Sequence, residues 1–242
     1  PAEYITAFLI THAGQLEKVA NAVAECRRLG INVLPPDINR SQASFSIEKG
    51  EDSTPAIRFG LAAIKNVGMG AIEPIIAEQS KGGEFKSIED LCRRANLRGV
   101  NKRVMESLIK VGALDSLGNR GALLQSVDRI LSLAQREQRL RESGQSTMFD
   151  LWGEAMPVPL SSLELEAADI PTREKLVWEK ELMGVYLSEH PFSPFANKID
   201  SGTLCGQIDA ELAGQTVSVA GMVASVRYLF TKDGRPFASA VL

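Results

Sequence analysis

Between residues 56 and 118 no helical stretch runs far before a glycine or a capping polar residue stops it. Such punctuation calls for short helices joined by still shorter links. Gly60 to Val67 reads as a helix, Gly68-Met69-Gly70 breaks it, and Ala71 to Gln79 resumes helical character. Ser87 with Asp90 three residues on makes a capping-box start for a helix through Arg94. Asn101 caps another helix, from Lys102 to Val111, and Gly112 ends it.

The flanks follow simpler patterns. Leu16, Val19, Ala20, Val23 and Cys26 recur at helical spacing between Gly14 and Leu29, with Gly30 as C-cap. Ile31 to Leu34 and Ser44 to Ile47 are β-prone on either side of Pro35-Pro36-Asp37, which predicts a small two-stranded element. Leu124, Val127, Leu131 and Ala134 give one side of a longer helix from Gly121 to Arg141. Three prolines from Gly153 to Pro171 read as an extended linker and a domain boundary, and Lys175 to Leu187, opened by Thr172, reads as a connecting helix ended by His190-Pro191. Val217 to Val226 and Pro236 to Leu242 read as strands joined through the turn-prone stretch Thr231 to Gly234. Opening at Pro1 and closing inside the apolar run Val241-Leu242, the sequence reads as a portion of a longer chain.

With 242 residues, 44% of them hydrophobic, the chain has material for one or two cores, which excludes wholesale disorder. Its longest apolar run, Ala7 to Ile10, is far short of the ~18 residues of a membrane span, so a cytoplasmic protein without a membrane partner is expected. Isolated Cys26, Cys92 and Cys205 offer neither a disulfide framework nor a paired metal site, and His12 and His190 are the only histidines. The net charge of −3 conceals a segregation: Cys92 to Arg141 holds eleven basic and four acidic residues, whereas Asp150 to His190 holds three basic and nine acidic. The basic middle is the part suited to a polyanion. Glu89-Asp90 and the Glu179/Glu181 pair fall in helix-cap or helix-surface contexts, so no catalytic carboxylate pair emerges, and no Gly-Lys-Ser/Thr phosphate loop is present.

Four motifs carry chemistry. In Ile64 to Ile72, Gly68 and Gly70 flank Met69, letting the backbone turn and leaving helix-start amides open to a phosphate oxygen, with Lys65 adding charge. This resembles a helix-hairpin-helix, which grips nucleic-acid backbone without reading sequence; an ordinary helical hairpin is the plain alternative. A second unit, Val100 to Leu114, sets Lys102 and Arg103 in a first helical turn, where the macrodipole disfavours cations, and so points to an external anion, although a surface Lys-Arg pair would look the same. Gln145-Ser146-Thr147-Met148-Phe149 has the profile of a docking peptide, an amide followed by two large apolar anchors, unless Met148 and Phe149 pack on their own domain. Arg227, Lys232 and Arg235 alternate with Tyr228, Phe230 and Phe237 as single-stranded nucleic acid requires; a plain β-hairpin is the alternative.

Taken in order, these segments resemble the C-terminal half of the C-family replicative polymerases, the alpha subunits of bacterial DNA polymerase III. The carriers include Leu34-Pro-Pro-Asp-Ile-Asn39, Arg58-Phe-Gly-Leu-Ala-Ala-Ile-Lys-Asn-Val-Gly68, Asn101-Lys-Arg-Val104, Gly112-Ala-Leu-Asp115, Glu181-Leu-Met-Gly-Val-Tyr-Leu187 and His190-Pro191. The resemblance implies a mostly helical α+β chain. Residues 1–55 would end the fingers domain and 56–152 would form a tandem helix-hairpin-helix domain with the clamp-binding peptide. Residues 153–200 would link and connect, and 201–242 would open an OB-fold β-barrel. It implies further that Gln145–Phe149 docks on the sliding clamp, the beta subunit, that the Gly68–Gly70 hairpin holds duplex DNA, and that the OB-fold lies near single-stranded template. Other holoenzyme subunits are implied partners. The parent would be a DNA-directed DNA polymerase whose Mg²⁺ ions are held by palm carboxylates. No such acidic constellation occurs in these residues, so no cofactor and no polymerase activity are expected of this stretch alone. A helix-hairpin-helix module of a DNA repair enzyme and a protein-interaction scaffold are the competing readings.

Overall fold

Local capping and apolar spacing account for most helices of the computed structural model, which describes residues 1–50, 54–142, 163, 165–191, 212–219, 223, 225–231 and 233–241. They form two units, Pro1–Ser188 and Glu189–Leu242. Among the described residues the fold is α+β and mostly helical.

The first unit opens with α1 (Ala2–Thr11) and α2 (Leu16–Arg28), whose Leu9, Val19, Val23 and Cys26 are buried together over a small sheet. The sheet has three strands, not two. β1 (Val33–Leu34) and β2 (Ser46–Lys49) do not pair; β3 (Pro55–Arg58) lies between them, parallel to β1 and antiparallel to β2. Ala56 and Ile57 are wholly buried there, and the Arg58 guanidinium binds the Glu48 carboxylate and donates to the Pro35 carbonyl at 2.7 Å. Only four residues long and opened by a proline, β3 offers too little alternation to read from sequence.

Gly60 to Val67 is not the expected helix. It makes one 3₁₀ turn, Leu61–Ala63, with Gly60 and Ile64 in extended conformation and Asn66 left-handed at φ 72°. The amides that a helix would use internally go elsewhere: Leu61 and Ala62 donate to Gln42 and Ala43 carbonyls, and Lys65 donates to Leu182. The helix proper is α3 (Met69–Gly82), starting at Gly68. α4 (Ile88–Arg94) and α5 (Lys102–Lys110) stand as read, with Ser87 Oγ accepting from the Asp90 amide and Asn101 from that of Val104. The single helix expected from Gly121 is two, α6 (Arg120–Gln125) and α7 (Val127–Glu142), broken at buried Ser126, whose amide is shared between the Ala122 and Leu123 carbonyls. α7 lies along α4, and Arg141 closes the end of α4 by donating to the Arg94 and Ala95 carbonyls.

α8 (Thr172–Met183) belongs to this first unit, so the contact boundary falls after Ser188 and not in the proline-rich stretch. Its Leu182 and Met183 enter the common core, and Glu179, expected on the helix surface, is buried, accepting the Leu187 and Ser188 amides at 2.8 and 3.2 Å. In the second unit β4 (Ser225–Phe230) pairs antiparallel with β5 (Pro236–Val241). β4 starts well beyond the expected Val217, because the turn closed by the Thr231 amide on the Arg235 carbonyl makes Phe230 face Pro236 and sets the register. Where the opening of an OB-fold was expected, the described residues form a single two-stranded sheet.

Candidate nucleic-acid interface

Two helix starts meet at one place on the first unit. A Cβ built on Gly99 would stand 2.9 Å from the Gly70 carbonyl oxygen and 3.1 Å from Ala71 Cα, so the loop before α5 presses on the first turn of α3. Only a residue without a side chain permits that approach. Asn66 strengthens the join by donating from Nδ2 to Ser107 Oγ at 3.2 Å. Gly68–Gly70 and Lys102–Arg103, read separately along the chain, are brought together. Neither Gly99 nor Asn66 was among the candidate residues; the Arg98-Gly99-Val100-Asn101 sequence held the only signal for the former.

The two starts differ. Asn101 caps α5 with its own side chain, whereas Gly68 supplies no side-chain acceptor and leaves the start of α3 uncapped. Gly68 and Gly70 have negative φ, and a Cβ at either would meet nothing within 4 Å. Their own fold does not require them; Asn66 makes the turn that the glycines were expected to make. What they leave is bare backbone around Met69, itself 46% exposed.

Charge around the join is partly committed. Lys65 lies 3.9 Å from Glu181, both half-exposed. Lys102 donates to Asp128 at 2.8 Å, and that carboxylate pushes the ammonium pKa up. The macrodipole mismatch at Lys102 thus meets an anion within the chain. Arg103, beside it, is exposed and makes no ion pair to a described residue.

In the second unit, Arg227 faces Ser239 while Tyr228 faces Ala238, so the arginine and the aromatics Tyr228 and Phe230 lie on opposite faces of the hairpin. Arg235 sits in the turn, its amide donating to Thr231 Oγ1. Lys232 and Gln145–Phe149 lie outside the described residues, as does Cys205. Cys26 and Cys92 are buried free thiols, and burial pushes Cys92 up to about 12. Among the described residues no three of His, Cys, Asp and Glu are placed to hold a metal ion, and no helix is long and apolar enough to cross a membrane.

The close glycine loop, short helices and uncapped helix start agree with a helix-hairpin-helix, and the family model described as "Helix-hairpin-helix motif" matches residues 30–123. Over 97% of its length the chain is 37% identical to the DNA polymerase III subunit alpha of Vibrio cholerae, 35% to that of Escherichia coli (strain K12) and 38% to that of Thermus aquaticus. It is a homologue of one stretch of DNA polymerase III alpha subunits, and it spans about a fifth of the length of those relatives.

Proposed function

We propose that this chain is the part of a replicative DNA-directed DNA polymerase that holds duplex DNA by its phosphates and tethers the enzyme to the sliding clamp. The observation that carries the reading is the bare Gly68–Gly70 backbone pressed against the Gly99 loop, with exposed Arg103 beside it. Helix-start amides and a nearby guanidinium suit a phosphate oxygen whatever the base sequence. Similarity to alpha subunits supplies the replicative setting: nucleotide transfer by the whole subunit, holoenzyme partners, docking of Gln145–Phe149 on the clamp, and an OB-fold near single-stranded template. Domain limits at 55, 152 and 200 belong to the same proposal. Modest phosphate contacts become processivity once a tether raises local concentration at the primer end.

The test is binding to duplexes of unrelated sequence across a salt series, with Gly68→Ala/Gly70→Ala as the variant. The added methyl groups meet no protein atom, and the poorer N-cap at position 68 offsets the helix gain at position 70, so thermal stability stays within about 1 kcal/mol, while the methyls stand where a phosphate must approach. Expected are sequence-independent binding that weakens linearly in log affinity against log salt, and a variant bound about tenfold more weakly. No binding by the unaltered chain, or equal binding by the variant, overturns the reading.

A further inference from the structure

Each of the two lysines flanking the joined helix starts has a carboxylate of this same chain beside it. Lys65, just ahead of Gly68, lies 3.9 Å from Glu181 in the last turn of α8. Lys102, opening α5, donates to Asp128 in the first turn of α7 at 2.8 Å. Both carboxylates come from helices remote in sequence from the lysines they meet.

Neither pair belongs to the packing. All four side chains are about half exposed or more, and exposed pairs add little to stability. The pairs that brace the fold are of another kind: Arg94 and Arg120 are mostly buried and donate to the Gly83 and Lys110 carbonyls as well as to a carboxylate. An exposed carboxylate beside a lysine has a different effect. In the free chain it neutralises the ammonium, and Asp128 holds the Lys102 pKa up for that reason. When a phosphate oxygen takes the lysine, the carboxylate is left without its partner and next to a polyanion. It then collects a cation from solution, which cancels part of the counterion release that drives backbone binding.

We infer that Glu181 and Asp128 stand in for phosphate, holding Lys65 and Lys102 in the free chain and limiting its grip on duplex DNA by competing for them. The inference rests on the duplex-holding function proposed above and assigns two acidic residues the role of weakening that hold. Such a contact exchanges easily, because a lysine leaving one phosphate returns to its own carboxylate.

The test compares Glu181→Gln/Asp128→Asn with a charge-matched control, Glu25→Gln/Glu84→Gln, in duplex titrations across a salt series. Glu25 is the exposed partner of Arg28, and Glu84 is exposed beyond the C-terminal end of α3. For the first variant we expect duplex binding about three- to tenfold tighter and a log–log salt slope steeper by about one to two, since each removed carboxylate no longer takes up a cation worth up to ~0.9. The control should stay within about twofold of the unaltered chain, because distant surface charge is screened. Adding Lys65→Gln/Lys102→Gln to the first variant should erase the gain. Unchanged or weaker binding by the carboxylate variant, an equal gain in the control, or a gain that persists without the lysines overturns the inference and leaves hairpin binding intact. Loss of folding in the carboxylate variant, read by thermal unfolding, would show the pairs to be structural and overturn it as well. Failure of the unaltered chain to bind overturns the proposed function and this inference with it.

Discussion

Asp90 shows how one side chain serves two ends of a local structure. Burial by itself raises its pKa, but the Lys86 amide and the Arg94 and Arg93 guanidiniums outweigh that cost and hold the carboxyl below the ordinary aspartate value of 3.8. Its own amide completes the cap on Ser87. A carboxylate with a depressed folded pKa contributes stability above its unfolded pKa and loses it as pH falls through the folded one. Asp90→Asn should therefore cost about 1.5–3 kcal/mol at neutral pH, measured by urea unfolding, and the gap to the unaltered chain should narrow well below pH 3.8. A gap independent of pH would show that the charge is not what matters.

At the scale of elements, the join between α3 and the loop before α5 decides whether two weak motifs make one interface. Gly99 is the pivot because backbone atoms of Gly70 and Ala71 fill the place of its side chain. Gly99→Ala forces rigid backbone apart, unlike Gly70→Ala a short distance away. The expected cost is about 1–3 kcal/mol of stability, as for overpacked sites, together with a loss of duplex affinity. Thermal unfolding and a binding titration on the same sample read both; full stability with full binding would mean that the two starts act independently. The 3₁₀ turn in place of a first helix belongs to this scale too. Donors recruited by Gln42, Ala43 and Leu182 carbonyls override local helical tendency.

For the whole molecule, the proposed phosphate contacts on the first unit would become residence at a primer end only with a tether. Tethering through Gln145–Phe149 is expected to supply this. In a pull-down or calorimetric titration with a purified bacterial sliding clamp, Gln145→Ala/Met148→Ala/Phe149→Ala should abolish binding while leaving duplex affinity unchanged. Loss of both together would place the pentapeptide in the folding of its own unit instead. The second unit's hairpin presents apolar side chains on both faces, with Tyr228 83% and Phe230 74% exposed, so its stability has to come from more than the two described strands.

Much was legible in the residues alone, for physical reasons that are local. Helices α2, α4 and α5 followed from apolar spacing and from Ser87 and Asn101, because a cap and its amide lie within one turn of each other. The likeness to polymerase alpha subunits was legible in ordered motifs, and Gly68 and Gly70 were visible as bare backbone before a helix, though Asn66 makes the turn. Distance in sequence hid the rest. Ile57 and Phe59 take their partners from Asn32 and Leu34, α8 returns to the first core after a proline-rich stretch, and Lys102 finds its anion 26 residues on. The count of positive charge between Cys92 and Arg141 was a property of composition. Which of those charges pair with which carboxylates was decided only by tertiary packing, because pairing energy depends on distances that only the folded chain sets.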